Sequence, residues 1–221
     1  MSPRRAVDDD RSIRNPFFAR LFDRFAARDE ERGQAELRRE LLAGLSGRVV
    51  EVGAGNGLDF PHYPATVEEV VAVEPEDFLR ERAVEAARTA PVPITVIPGL
   101  ADRLAFDDAS VDAVVVSGVL CSVPDQRAAL AEFRRVLKPD GELRFYEHVR
   151  ASTPLRARFQ DAVDLVWPRL MGGCHVTRDT LAAIERSGFT VERSRAFVFP
   201  PGSRVSVVAT KILGVARPTT A

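Results

Sequence analysis

The chain is poor in cysteine, tryptophan, tyrosine, methionine and histidine, with two, one, two, two and three of them among 221 residues, and its charges cancel to a net −1. Each scarcity closes a route. The two cysteines, Cys121 and Cys174, form no C-x-x-C pair, which argues against a disulfide framework and for reduced thiols in the cytosol. Acids and bases are abundant but balanced, so no global field gathers nucleic acid. No run approaches the roughly 20 apolar residues of a membrane span. Residues Met1 to Arg14 lack the apolar core that a signal peptide needs. The expectation is a cytoplasmic protein without a nucleic-acid partner. What remains is length enough for one α/β domain with additions and a full core.

The most informative stretch is Val49-Val50-Glu51-Val52-Gly53-Ala54-Gly55-Asn56-Gly57. A β-rich run ends near an acid and opens into three alternating glycines. Glycine lacks a Cβ and accepts positive φ, so backbone here can approach a ligand closely. A second apolar run, Val70 to Val73, ends in Glu74, where an acid at a strand tip can accept from both hydroxyls of a ribose. The pair describes a nucleoside-binding edge of a doubly wound sheet. The spacing is G-x-G-x-G, with Leu58 where the dinucleotide fingerprint G-x-G-x-x-G needs its third glycine. Pro61 and Pro64 also leave little room for the helix whose N-terminus a pyrophosphate would seek. The expected nucleoside is therefore S-adenosylmethionine, held by Gly53, Gly55, Asn56, Gly57 and Glu74.

Alternating elements follow. Strands are expected at Val49–Val52, Val70–Val73, Ile94–Pro98, Val111–Ser117 and Glu142–Val149, with helices near 77–90 and 125–137 between them. Such alternation implies a parallel sheet with right-handed crossovers. A strand from Phe189 to about Phe197 and another over Val205–Ala216 flank Pro200-Pro201-Gly202, too short a bend for a helical crossover, so these two should pair antiparallel. The expected organisation is one domain: a loose tail over 1–14, helices over 15–46, a nucleoside-binding half over 47–150, an insertion over 151–176, and a helix and hairpin over 177–221. The second N-terminal helix should run from about Gln34 to Leu45, with Gly47 closing it.

Several features in residues 47–147 resemble the class I S-adenosylmethionine-dependent methyltransferases. They are Glu51-x-Gly53-x-Gly55-x-Gly57, Glu74, Ala101-Asp102, Phe106-x-x-Ala109-Ser110-Val111-Asp112, and Leu137-Lys138-Pro139-Asp140-Gly141-Glu142-Leu143. Asp140 stands where that family usually has glycine. A narrower set over residues 48–180 resembles the thiol S-methyltransferases of the methyltransferase-like seven family and their bacterial relatives. It comprises Val119-Leu120-Cys121-Ser122-Val123, Glu147-His148-Val149, Asp164-x-x-Trp167 and Gly173-Cys174-x-x-Thr177-Arg178. The resemblance implies a Rossmann-like α/β sheet of seven strands ending in an antiparallel hairpin. It also implies a role for Glu51 at the loop and the methionine amine, and for Ala101 and Asp102 at the adenine, with Asp107 and Asp108 as nearby rival acids. The family's membrane-bound members begin with a hydrophobic anchor, which this chain lacks, so membrane attachment does not carry over.

The remaining candidates come from position. Ser117 and His148 end the fourth and fifth strands, at the carboxyl edge where open α/β sheets bind ligands. A histidine there can take a proton from an acceptor thiol, so His148 is the candidate base. A satisfied structural histidine is the rival reading. Cys121 is read as packing or as a wall of the acceptor site, because in-line displacement at a methyl needs alignment and no enzyme nucleophile. The separations of Cys121, His148, Cys174 and His175 match no zinc spacing, and no metal is expected. Thr177 is the expected cap of the helix before the sixth strand, which makes Leu155–Leu170 an added helix leaving the ligand edge, with Phe159 and Trp167 read as lining the acceptor chamber and ordinary core contacts as the rival reading. Phe17, Phe18, Leu21, Phe22 and Phe25 form an N-terminal stripe, read as a lid over the cofactor. Docking on a membrane through Arg20, Arg24 and Arg28, or on a partner, is the alternative. The expected activity is methylation of a small apolar acceptor, thiol first. Nitrogen or oxygen acceptors (a lipid headgroup or a quinone-like phenol) and a silent cofactor-binding subunit are the alternatives. Oligomeric state is left open.

Overall fold

Valine sets the frame. Strands β1 (Gly47–Val52), β2 (Val67–Val73) and β4 (Val111–Ser117) are valine-rich and buried along almost their whole length. Near-continuous burial is what a parallel sheet covered on both faces requires, and β-branched side chains pack well on it. The computed structural model describes residues 19–21, 23–24, 30–203 and 206–219. With β3 (Ile94–Ile97), β5 (Leu137–His148), β6 (Phe189–Val198) and β7 (Thr210–Pro218) it forms one seven-stranded sheet, ordered β3-β2-β1-β4-β5-β7-β6. β1 to β5 run parallel, and β7 pairs antiparallel with both β5 and β6.

Alternation along each strand divides the core. On one face Val50, Val52, Val114, Val116, Leu143 and Phe145 pack with Leu130 and Phe133 of helix α3 (Gln126–Val136) and Ile184 of α6 (Thr180–Arg186). On the other, Val49, Val70, Val115 and Tyr146 meet Leu41 and Leu42 of α1 (Ala35–Leu42), Phe60, and Ala83 of α2 (Asp77–Ala87). Asp112, at the start of β4, accepts from the Arg48 amide at 2.8 Å and from Lys138 Nζ at 2.7 Å. It clamps the edge of the sheet opposite the glycines.

Four expectations need correction. The added helix is two: α4 (Pro154–Asp164) and α5 (Trp167–Leu170). A proline within a helix clashes with the carbonyl four residues back, so Pro168 cannot continue α4 and instead occupies the first turn of α5. The cap of α6 is Asp179, whose carboxylate accepts from the Ala182 amide, not Thr177. α1 ends at Leu42, because Ala43 turns to φ −58°, ψ 128°, and Gly47 opens β1 at φ 69° instead of closing the helix. Finally, β7 begins at Thr210, later than Val205.

The N-terminal stripe falls mostly outside the described residues, which exclude Phe17, Phe18, Phe22, Phe25 and Arg28. Residues 19–21 and 23–24 are helical, and they lie against the glycine loop. Asn56 Nδ2 donates to Asp23 Oδ1 at 2.9 Å, and Arg20 sits over the Phe78 ring near the start of α2. Among the described residues no helix is long and apolar enough to cross a membrane.

Candidate active site

The carboxyl ends of β1, β2, β4 and β5 bring most of the candidates to one edge. After β1 the chain passes through Gly53, Gly55 and Gly57 at φ 69°, 58° and 82°, a left-handed region where any side chain is strained. Packing adds to the demand. A Cβ on Gly53 would lie 2.5 Å from Val119 Cγ2, and one on Gly57 would lie 2.8 Å from the Phe60 ring. The loop is thus kept bare for two reasons, its backbone conformation and its neighbours. Gly55→Val should abolish S-adenosylmethionine binding, and calorimetry on the folded variant checks it.

Glu74, buried at the tip of β2, points across to that loop. One carboxylate oxygen accepts from the Gly55 amide at 2.8 Å and the other from the Glu76 amide at 2.9 Å. A carboxylate has about four acceptor positions, so capacity remains for the two hydroxyls of a ribose. Burial raises its pKa to about 6, the two backbone hydrogen bonds opposing the rise. Glu51 is also buried, and accepts from the Tyr63 hydroxyl at 2.7 Å. Desolvation first, then the neighbouring Asp59, pushes its pKa well up. Asp59 in turn receives Arg38 Nη1 at 2.7 Å. A bound ammonium would supply the positive charge that Glu51 lacks.

Ala101 and Asp102 follow β3 on the same edge. Ala101 packs against the core and Asp102 is exposed. Of the rival acids, Asp108 pairs with Arg135 at 2.7 Å, at the C-terminal end of α3 and the opposite edge of the sheet. Ser117 closes β4, half-buried.

Beyond Ser117, a tight loop leads to Cys121. Its amides are gathered by one buried side chain: Glu147 accepts from Val119 at 2.8 Å, Leu120 at 2.9 Å and Cys121 at 3.3 Å. Burial still raises the pKa of Glu147, although those three bonds and His148 oppose it. From the far side Gln126 and Arg178 donate to the Leu120 carbonyl, and the His175 amide donates to that of Cys121. Sequence reasoning gave no site role to Glu147, although an acid directly before the candidate base at the end of a core strand was a signal.

The loop delivers Cys121 to His148 and to Cys174. His148 Nε2 lies 3.0 Å from Cys174 Sγ, and Trp167 Nε1 donates to the same sulfur at 3.2 Å. The ligand atoms of Cys121, His148 and Cys174 all lie within 4.8 Å of one another, and all three residues are buried. The hydrogen bond from Cys121 is the first cause holding the Cys174 thiol well below its usual range, with His148 and Trp167 adding to it. The same bond and desolvation push Cys121 up. His175, grouped with these residues by sequence, turns away to Asp164, 2.8 Å from Nδ1. Phe159 is set apart as well. It is 51 % exposed on α4 and lines a cleft of about 170 Å³ with Leu155, Gln160 and Val207. Trp167 is therefore at the cluster and Phe159 is not.

The glycine cradle, the acid at the tip of β2 and the strand order together fit a methionine-linked adenosine. Comparison with known proteins agrees. A methyltransferase domain family matches residues 50–145. The human thiol S-methyltransferase TMT1B is 34% identical over 183 residues, which cover 79% of this chain and 73% of that protein. Human thiol S-methyltransferase TMT1A is 36% identical over 156 residues, covering 67% of this chain and 63% of its own length. Among solved structures, an S-adenosylmethionine-dependent methyltransferase from Mesorhizobium loti superposes with a TM-score of 0.61 at 22% identity, covering 84% of this chain and 98% of that one. That likeness speaks for the fold alone. By its sheet order, its glycine loop and these relatives, the chain belongs to the class I S-adenosylmethionine-dependent methyltransferases, in the sequence family of TMT1A and TMT1B.

Proposed function

We propose that this methyltransferase acts on the sulfur of a small, apolar thiol. The observation that carries the reading is the makeup of the edge beside the cofactor loop. Val119, against which Gly53 packs, is two residues from Cys121, and there the chain presents two thiols, an imidazole and an indole. Of the carboxylates nearby, Glu147 is occupied by three backbone amides and Asp164 by His175 and the Val176 amide. Such a surface suits a soft, weakly polar acceptor better than a charged headgroup. The names of the human relatives support the same choice of atom.

Each part has a proposed task. Gly53, Gly55, Asn56 and Gly57 admit the cofactor, Glu74 accepts from its ribose, Glu51 faces its amine, and Ala101, Asp102 and Ser117 line its adenine side. S-adenosylmethionine supplies an electrophilic methyl on a sulfonium. The helical residues around Asp23 cover the loop through Asn56. His148 and Cys121 stand at the acceptor end, with Trp167 as its wall. His148→Gln removes the imidazole from the acceptor end and should lower turnover by at least about 10²-fold, leaving cofactor affinity unchanged. Trp167→Ala should change acceptor affinity or selectivity with cofactor affinity nearly constant. A large loss of cofactor binding with normal acceptor behaviour would place Trp167 elsewhere. The acceptor class is tested with labelled cofactor and matched alkyl thiols, phenols and amines. Label should appear on the thiols, and labelling of phenols or amines alone would refute the thiol reading.

A further inference from the structure

We propose that Cys121, His148 and Cys174 form a three-ligand site for a zinc ion, with the fourth position open to the sulfur of the acceptor. The second half of this rests on the thiol reading above; the metal site itself does not.

The chemistry of the donors comes first. Two thiolates and one imidazole are a soft set that favours zinc over magnesium or calcium. Three protein ligands with an open fourth position is the pattern of catalytic zinc, whereas structural sites close with four. Geometry agrees. With zinc–sulfur bonds of about 2.3 Å and zinc–nitrogen bonds of about 2.0 Å, tetrahedral ligand atoms stand about 3.5–3.8 Å apart. Here all three lie within 4.8 Å of one another, with His148 Nε2 and Cys174 Sγ at 3.0 Å. Changes of up to about 1 Å in these separations would seat the ion.

The supporting shell is already built. Glu147 fixes the backbone that carries Cys121, and the His175 amide ties the Cys174 segment to it through the Cys121 carbonyl. Trp167 donates to the Cys174 sulfur, an orienting bond of the kind that surrounds metal ligands. The further histidine nearby is committed to Asp164, and among the described residues no fourth His, Cys, Asp or Glu joins the group. The loop that carries Cys121 also reaches the cofactor loop, where Val119 packs against Gly53.

An open zinc position would solve the acceptor's problem. A free thiol has a pKa of about 8.5 and is mostly protonated at neutral pH, whereas a thiol coordinated to zinc is deprotonated. The proton goes to solvent. A lone pair on the acceptor sulfur then forms the new bond to the methyl carbon. The old carbon–sulfonium bond breaks with its electron pair on the departing sulfur, leaving a thioether and S-adenosylhomocysteine. In this arrangement His148 ligates and is not the proton acceptor.

The test uses the full chain, purified under reducing conditions, stripped with chelator and titrated with zinc or cobalt. Expected are one ion per chain and, with cobalt, a sulfur-to-metal charge-transfer band with the visible spectrum of a tetrahedral site. Cys121→Ser, Cys174→Ser and His148→Asn should each weaken binding by more than the roughly 10- to 100-fold that loss of a supporting residue costs. Trp167→Phe should fall within that range, and His175→Asn should bind as the unaltered chain does. Three ligand variants are used so that one misfolding by circular dichroism leaves two to judge. Adding an alkyl thiol should perturb the cobalt spectrum. Binding that survives in the folded ligand variants, no stoichiometric binding, or a Cys121–Cys174 disulfide in place of a metal would overturn the site. A stoichiometric site without thiol methylation would sink the thiol reading and the role of the open position, and leave the metal site standing. Full thiol methylation in stripped protein would sink the ion's role in activating the acceptor and leave the thiol reading standing.

Discussion

Replacing Glu74 by alanine should weaken S-adenosylmethionine binding by about 10- to 10³-fold in a protein that still folds. The carboxylate is the acceptor proposed for the ribose hydroxyls, and hydrogen bonds to a charged group are worth about 1.5–3 kcal/mol each. It also holds the Gly55 amide at 2.8 Å, so the loop loses its anchor along with the ligand. Glu74→Gln makes a finer test. Its amide would turn an N–H toward one of the two backbone N–H groups of Gly55 and Glu76, which the carboxylate now satisfies. The pH dependence has a definite sign. Burial raises the pKa of Glu74 to about 6, above that of the unfolded chain, so folding takes up a proton there. That contribution to stability is fully present below the ordinary carboxyl range and is lost as pH rises through about 6. Cofactor binding needs the ionised form and should move the other way, weakening as pH falls through about 6. Calorimetric titrations at several pH values, on both proteins, check this: the slope should flatten in Glu74→Gln.

The second large effect is on stability. Glu147→Ala strips the acceptor from the amides of Val119, Leu120 and Cys121, inside the core. An unsatisfied buried amide costs about 1–3 kcal/mol, and relief of the buried charge offsets part of the sum. A net loss of about 2–4 kcal/mol is expected in denaturant unfolding. Activity should fall further than stability explains, since Cys121 loses the backbone that places it. If Glu147→Ala unfolds like the unaltered chain, the loop is held by Gln126 and Arg178 instead.

How much of this the sequence carried depends on how local each feature is. The positions of the glycine loop and Glu74 were legible because both sit at strand tips, and the loop's backbone conformation follows from its glycines. The strands were legible because valine runs report burial on both faces without reference to distant partners. The added helix was misread because the apolar residues of Leu155–Leu170 keep a helical rhythm through a point where Pro168 forbids one. Periodicity counts apolar residues but does not see a missing amide. Thr177 lost the cap of α6 to Asp179, which lies next to the helix and carries a charged acceptor. The cluster of Cys121, His148 and Cys174 was illegible for a different reason. Spacing along the chain excludes a local zinc motif, but these three residues come from a loop, a strand end and the segment after α5. Only the sheet, by ending β5 beside the loop after β4, brings them together.

The most direct test of the account offers both acceptor atoms in one molecule. A small mercaptoalcohol is incubated with the enzyme and methyl-deuterated S-adenosylmethionine, and the product is read by mass spectrometry and NMR. The account predicts a deuterated methyl thioether with the hydroxyl untouched, formed together with S-adenosylhomocysteine and much reduced in Glu74→Ala. Methylation at oxygen, or tight cofactor binding with no methylated product across a series of thiols, would contradict it.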